Sequence, residues 1–176
     1  KHKGKRQPLG PVSFDVCMEC HEDEITPFQG SVHARVKGGK PGTCEGCHGN
    51  VHTFVRSNNP AAAMAPLNQV RNCGVCHEDM MEGYLSSVHA KSLFVSGLTD
   101  AAPSCSDCHG SHDIKPSADP GSRTHHARLL DTCGRCHGDD EIIKRGKIEI
   151  GNVVDLFKDS IHGKALIKSG LSVAPT

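Results

Sequence analysis

The sequence has few of the large side chains that usually fill a protein interior. Its 176 residues include no Trp and one Tyr, and aromatic residues make up 3% of the chain. Residues that interrupt regular structure are frequent, with 19 Gly and 10 Pro. An ordinary packed core is hard to build from this composition, so something other than side chains must fill the interior.

The sequence also has no excess charge and no long apolar run. Twenty Lys and Arg balance twenty Asp and Glu, and the one basic tract is "KHKGKR" at the start. Nucleic-acid binding is therefore not expected. The longest apolar stretch, Ala61 to Leu67, is far shorter than the roughly 20 residues of a membrane helix.

Cysteine and histidine, in contrast, are abundant, with 10 and 13 residues. Every Cys belongs to one of five Cys-x-x-Cys-His motifs. These are Cys17/Cys20/His21, Cys44/Cys47/His48, Cys73/Cys76/His77, Cys105/Cys108/His109 and Cys133/Cys136/His137. In c-type haem attachment, the two thiols of this motif bond to the porphyrin and the adjacent His ligates the iron. We therefore expect five covalently attached haem c groups.

Two other uses of the cysteines are less consistent with this pattern. Cys17, Cys20, Cys44 and Cys47 alone have zinc-ribbon spacing, but zinc needs pairs of Cys-x-x-Cys units and five is an odd number. A disulfide framework would not require a His after every second Cys.

The motifs belong to two kinds of alternating segment. Type A segments, residues 17–33, 73–89 and 133–162, end in "SVHA" or "SIHG", and the third carries a 13-residue insertion. Type B segments, residues 44–52 and 105–112, have a second His shortly after the motif. The order A-B-A-B-A predicts an N-terminal arm at 1–16, A-B pairs at 17–72 and 73–132, and a fifth haem segment at 133–176.

Five further histidines recur at equivalent places in these segments and are the predicted distal iron ligands: His33, His89 and His162 in type A, and His52 and His112 in type B. Met has no repeated position, so bis-His, low-potential haems are expected. His52 and His112 follow a motif His too closely to reach the other face of the same haem, so each should serve another haem. His33 and His89 could serve either their own haem or a neighbour.

Three histidines are left over, His2, His125 and His126, and either of the last two could replace one of the five assigned above. The predicted fold is mainly irregular with short α-helices, haem-cored, with little or no β-sheet. Helices are expected around 78–91 and 152–170, the latter with Asn152 as N-cap and Gly170 as its stop.

With these motifs the chain resembles the multihaem c-type cytochromes with doubled CxxCH motifs, over nearly its whole length from Cys17 onward. The resemblance implies a periplasmic or extracellular protein that passes electrons along closely stacked haems in respiration. It implies redox partners such as other cytochromes, a quinol-oxidising membrane complex or an extracellular acceptor. It is also compatible with self-association into a haem chain or filament.

The alternative is a multihaem enzyme with one open iron position, similar to the nitrite reductases or hydroxylamine oxidoreductases. The former replace a motif His by Lys, and all five motifs here have His. The latter use a cross-linked Tyr, whereas Tyr84, in "EGYLSSVH", is better explained as a packed aromatic. We therefore expect an electron-transfer protein without catalytic residues.

The last residues, "SGLSVAPT", repeat an earlier part of the chain. Aligning Ser169 with Ser96 places Thr176 on Ser104, which directly precedes Cys105. We expect the sequence to continue past Thr176 into another haem motif, with a shortened terminal cap as the alternative.

Overall fold

The computed structural model describes residues 14–35 and 42–170. Within these ranges it contains short helices and no strand, and about 61% of the described residues are helical. The predicted helical fold without a sheet is confirmed. Most of the predicted N-terminal arm, His2 and the expected continuation past Thr176 lie outside the described residues.

Ten α-helices follow one another along the described part of the chain: α1 (Phe14–Gly30), α2 (Cys44–His48), α3 (Pro66–Gly74), α4 (Glu78–Leu85), α5 (Val88–Ala90), α6 (Cys105–His109), α7 (Leu129–His137), α8 (Asp140–Gly146), α9 (Val153–Asp159) and α10 (Ile161–Ser169). Three 3-10 turns, His33–Arg35, Val51–Thr53 and His126–Arg128, and a π-helical turn, Lys91–Val95, complete them. None of the described helices is both long enough and apolar enough to cross a membrane.

The sequence repeat is also a repeat of local structure. The side chains of Asn59 and Asp119, sixty positions apart, each accept a hydrogen bond from the backbone N–H two residues later, at 2.9 and 2.7 Å. The carbonyls of Pro60 and Pro120 each accept a side-chain hydrogen bond from the residue eight positions on, at 2.9 and 2.7 Å. The two connections that lead into the third and fifth motifs therefore fold alike.

The apolar core of the described residues is small. Leu93 is fully buried and packs with Val70 and Ala102, while Met81 and Tyr84 lie at the edge of this cluster. So small a cluster agrees with an interior that side chains alone do not fill.

A buried polar network joins α3 to α6. Gln69 is 4% exposed. Its Oε1 accepts hydrogen bonds from the Ser104 hydroxyl at 2.7 Å and the Ser106 N–H at 2.9 Å, and its Nε2 donates to Ser106 Oγ at 3.0 Å. Because Cys73 lies in α3 and Cys105 begins α6, this network fixes the third motif against the fourth.

The two helices expected from the sequence are each split in two. Residues 78–91 contain α4 and α5, and residues 152–170 contain α9 and α10. Asn152 occupies the N-cap position without a side-chain capping bond, and Gly170 ends α10 in the left-handed region at φ 59°. The breaks fall at Ser86–Ser87 and at Ser160, just before the histidines at positions 89 and 162.

Candidate haem attachment and ligand sites

In type A segments the motif lies at the end of a longer helix. Cys73 belongs to α3, and His77 then leaves helical geometry, with φ −118° and ψ 54°, before α4 begins. His21 marks a similar break inside α1, with φ −122° and ψ 36°. The motif imidazole therefore stands at a break between two helical segments.

In type B segments the motif forms its own five-residue helix, α2 or α6. Thr43 caps α2, because its Oγ1 accepts a hydrogen bond from the Gly46 N–H at 3.1 Å. Gly49 and Gly110 follow the motif His with φ of 83° and 87°, in the region that favours glycine. These glycines turn the chain sharply towards the second His of each segment.

A serine positions the distal histidine of each type A segment. Ser31, Ser87 and Ser160 each accept a hydrogen bond at Oγ from the backbone N–H three residues later, at 3.4, 3.2 and 3.0 Å. This bond begins a new helical turn with His as its second residue. The repeated "SxH" thus has a structural reason that the sequence analysis missed, although its signal was visible in "SVHA" and "SIHG".

Six of the predicted ligands come together as three pairs of imidazoles. The ring centres are 6.1 Å apart for His33 and His77, 6.0 Å for His48 and His112, and 6.2 Å for His89 and His137. A metal ion between two facing imidazoles lies about 2 Å from each nitrogen, which is itself about 1 Å from its ring centre, so the rings are about 6 Å apart. The spacing of all three pairs therefore fits an iron held by two histidines.

The pairs follow a rule of register. Two of the three type A distal histidines lie beside the motif His of the next type A segment: His33 beside His77, and His89 beside His137. The type B distal His112 instead meets His48, in the preceding type B segment. In the structure, therefore, His33 and His89 both lie beside the motif His of a neighbouring segment.

Four predicted ligands have no second imidazole at this distance among residues 14–35 and 42–170. They are the motif residues His21 and His109 and the distal residues His52 and His162, and all four are exposed. Five of the six paired imidazoles, in contrast, are half-buried. His21 instead lies 3.6 Å from the Glu24 carboxylate.

The leftover His125 and His126 form a different kind of pair. Their ring centres are 4.8 Å apart, too close for an iron between them. His125 Nδ1 accepts a hydrogen bond from the Ala127 N–H at 3.3 Å. His126 Nε2 is buried and has no hydrogen-bond partner among the described residues.

One imidazole of each pair is in surroundings that favour its neutral form. Burial lowers the pKa of His33, His48 and His89, and the facing imidazole of each pair lowers it further. The imidazole of His109, although exposed overall, is partly desolvated, and this effect, followed by the nearby His77, lowers its pKa. Neutral imidazole is the form that binds iron.

The five motifs are spatial neighbours in the order in which they occur along the chain. Each adjacent pair of motifs brings thiols near each other: Cys17 with Cys44, Cys47 with Cys76, Cys73 with Cys105, and Cys108 with Cys133. Cys73 and Cys105 share a hydrogen bond, which raises the pKa of the first thiol and lowers that of the second. Thiols of successive motifs therefore influence one another from Cys17 to Cys133.

The fifth motif opens onto an apolar groove that suits a porphyrin. Cys133, Cys136 and both imidazoles of the pair His89 and His137 line it. Its other walls include the apolar residues Val88, Leu98, Ile142 and Ile148, and Cys108 of the fourth motif also reaches it. Attachment thiols, axial ligands and apolar walls thus meet in one place.

The cysteines have no disulfide or metal partners in the described part of the chain. All ten cysteines are free thiols. No group of three or more His, Cys, Asp or Glu there could hold a metal ion between them.

Comparison with known proteins identifies one related family. Residues 26–109, just under half of the chain, match the family described as cytochrome c7 and related cytochrome c. The matched segment contains the complete second, third and fourth motifs. No curated protein and no solved structure matches the chain.

Proposed function

We propose that this chain is a multihaem c-type cytochrome in which five haems form one row for electron transfer. Residues 26–109 match the family of cytochrome c7 and related cytochromes c. The family supports an electron-transfer role with covalently bound haem c. The number five rests on the five Cys-x-x-Cys-His motifs, and the proximity of thiols in successive motifs, from Cys17 to Cys133, supports the row.

In this proposal each haem is bonded to the two thiols of one motif and ligated by its His. The sixth ligands follow the imidazole pairs: His33 for the third motif, His112 for the second and His89 for the fifth. Bound haem supplies reversible one-electron reduction of its iron, at a low potential when both axial ligands are His. The chain's own contribution is to hold the ligands, exclude water and keep neighbouring sites close.

Exposed apolar side chains beside the motifs support the same assignment. Val75, between the two thiols of the third motif, is 79% exposed, and Val88, next to His89, is 71% exposed. Large apolar side chains are costly to leave in water, and a porphyrin on the adjacent thiols would cover them.

We further propose that the protein works outside the cytoplasm, in the periplasm or at the cell exterior, in respiratory electron transfer. The polypeptide is neutral. Five haems would add ten propionates against about five positive ferric centres, so the oxidised holoprotein would carry a charge of about −5. Its redox partners, whether another cytochrome, a quinol-oxidising complex or an extracellular acceptor, would then present Lys- and Arg-rich surfaces. Self-association of copies of the chain into a haem chain or filament is part of the same proposal.

A reductase with an open iron position is the second candidate. It is favoured by His21 and His109, because among the described residues neither imidazole has a second imidazole at the ring-centre spacing of the three pairs. The sole Tyr does not add to it, because the Tyr84 hydroxyl donates a hydrogen bond to the Pro103 carbonyl at 2.7 Å and so has a structural role.

Intact mass and EPR spectroscopy of the holoprotein test the proposed function. We expect five haem increments in the mass and haem that stays with the protein in acid-acetone. The variant His89→Ala should convert one low-spin haem to high spin, whereas His125→Ala, the matched control outside the register, should convert none. Fewer than five haems, or an unchanged spectrum for His89→Ala, would contradict the proposal.

A further inference from the structure

The third type A segment differs from the other two by its 13-residue insertion. Counted back from the distal His, α9 occupies the place that α4 has in the second type A segment. The insertion therefore falls between the motif residue His137 and α9, and it contains α8. The other two type A segments place their distal His without such a helix, so α8 is not needed for placing a ligand of this kind.

The insertion forms one wall of the apolar groove at the fifth motif. Ile142 and Gly146 of α8, and Ile148 shortly after it, line the groove together with the attachment thiols of Cys133 and Cys136. Both isoleucines are half-buried. A haem bonded to these thiols would therefore have the insertion as an apolar neighbour.

The backbone after α8 turns the chain back so that Ile148 lies in the groove. Lys147 has φ 51° and ψ 42°, in the left-handed region that residues other than Gly rarely adopt. The Lys147 N–H donates a hydrogen bond to the Lys144 carbonyl at 3.3 Å, and the Ile148 N–H donates one to the Ile143 carbonyl at 3.0 Å. Such a backbone conformation persists only where the surrounding structure holds it.

An ion pair fastens the insertion to a second wall of the groove. The Arg145 guanidinium, in α8, pairs with the Asp100 carboxylate. Asp100 belongs to the turn that also supplies Leu98 and Ala101 to the groove. The hydrogen bond from Arg145 holds the pKa of the Asp100 carboxyl below its ordinary value. The pair thus joins two walls that are 45 positions apart in the sequence.

We propose that the insertion is a cover that keeps water from the fifth haem and thereby raises the reduction potential of that haem. The inference rests on the proposed haem attachment. Ferric iron carries one more positive charge than ferrous iron, and apolar surroundings without water disfavour the more highly charged state. Ile142 and Ile148 supply the apolar surface, and Arg145 with Asp100 holds it in place.

Two matched isoleucine substitutions test the apolar surface of the cover. Ile148→Asn places a polar amide in the groove wall, whereas Ile150→Asn makes the same change at a side chain that is 58% exposed and does not line the groove. In a spectroelectrochemical titration of the holoprotein, Ile148→Asn should move about one fifth of the absorbance change, one haem of five, to lower potential.

The control variants Ile150→Asn and Ile148→Leu, the second of which keeps the wall apolar, should titrate like the parent. An unchanged titration for Ile148→Asn, or an equal shift for Ile150→Asn, would overturn the inference.

Reversal of the two charges tests the fastening. Arg145→Asp and Asp100→Arg each bring two like charges together, so each should loosen the insertion. The backbone amide of Ile148 should then exchange faster with deuterium, and one haem should move to lower potential. The double variant restores opposite charges and should restore both measurements. A double variant that behaves as the sum of the two single variants would refute the role of this ion pair.

The two measurements also separate a cover from a purely structural insertion. If the single charge variants speed amide exchange and no haem potential moves, the insertion supports the fold alone and the inference is wrong. Intact mass tests the proposed function independently. Fewer than five haem increments in the parent would contradict that function, whereas five haems with unmoved potentials in all variants would refute the cover.

Discussion

Replacing Gln69 by Met tests whether the polar network between α3 and α6 stabilises the fold. Met keeps the approximate volume of Gln69 but removes three hydrogen bonds, to Ser104 Oγ, Ser106 N and Ser106 Oγ. Each contributes about 0.5–1.5 kcal/mol, and the stranded Ser106 N–H adds a desolvation cost. The Ser104 hydroxyl can still donate a hydrogen bond to Asp107 Oδ2, 2.9 Å away. The expected loss in the free energy of unfolding is about 3 kcal/mol.

Guanidinium unfolding of the holoprotein, followed by far-UV circular dichroism at fixed protein concentration, measures this loss. Ser106→Ala removes one of the three hydrogen bonds and should cost about 1 kcal/mol. Because the two side chains share that bond, the double variant should cost less than the sum of the single variants. A Gln69→Met variant within about 0.5 kcal/mol of the parent would refute the stabilising role of the network.

Two further predictions concern the neighbouring core. Tyr84→Phe removes the hydrogen bond to the Pro103 carbonyl and should lower the free energy of unfolding by about 1 kcal/mol. The haem spectra should stay unchanged. A new high-spin signal would instead indicate a catalytic Tyr. Burial, followed by nearby acidic groups, raises the pKa of Tyr84 to about 12, so its contribution to stability should decline as pH rises from about 10 towards that value, in a pH series of unfolding curves. Leu93→Ala should cost about 2–5 kcal/mol because it leaves a cavity beside Val70 and Ala102, whereas Leu93→Met should cost less than about 1.5 kcal/mol in the same assay.

The short helices, the absence of a sheet in the described residues and the match of residues 26–109 to the cytochrome c7 family were predictable from the sequence because they depend on local features. Five repeats of one motif identify haem attachment, and histidines at repeated positions identify candidate ligands. Their roles in binding iron stay predictions. The repeated connections that begin at Asn59 and Asp119 follow equally from local turn chemistry.

The pairing of the ligands was not predictable, because spacing limits only how far a side chain can reach. His33 follows His21 by twelve residues, which is compatible with the same haem or with a neighbour. Packing between segments, which the spacing does not encode, places the His33 ring beside that of His77. Gln69 was missed for the same reason, since its partners lie 35 and 37 positions further along the chain.

The helix breaks were missed for a local reason. Apolar residues continue at helical spacing across Ser160, from Leu156 to Ile161 and Ala165, and suggested one helix. The Ser160 hydroxyl competes by capping a new turn at Gly163, and its backbone takes an extended ψ of 165°. The side-chain cap at Ser160 therefore breaks the helix even though the apolar spacing continues through it.

The register of the imidazole pairs also bears on how a chain with so small a core is stabilised. A haem bonded at one motif and ligated by a distant His links two parts of the chain: His33 and His77 are 44 positions apart, and His48 and His112 are 64 positions apart. Such a link would restrict the unfolded chain much as a disulfide of that loop length does. The restriction would stabilise the folded state by about 4 kcal/mol. A type A link would join a segment to the next type A segment, and a type B link would join a segment to the preceding type B segment. Each link would therefore span the one segment of the other type that lies between them. With the proposed ligation, haem binding would be coupled to folding, and further A-B units would each add such links without a larger apolar core.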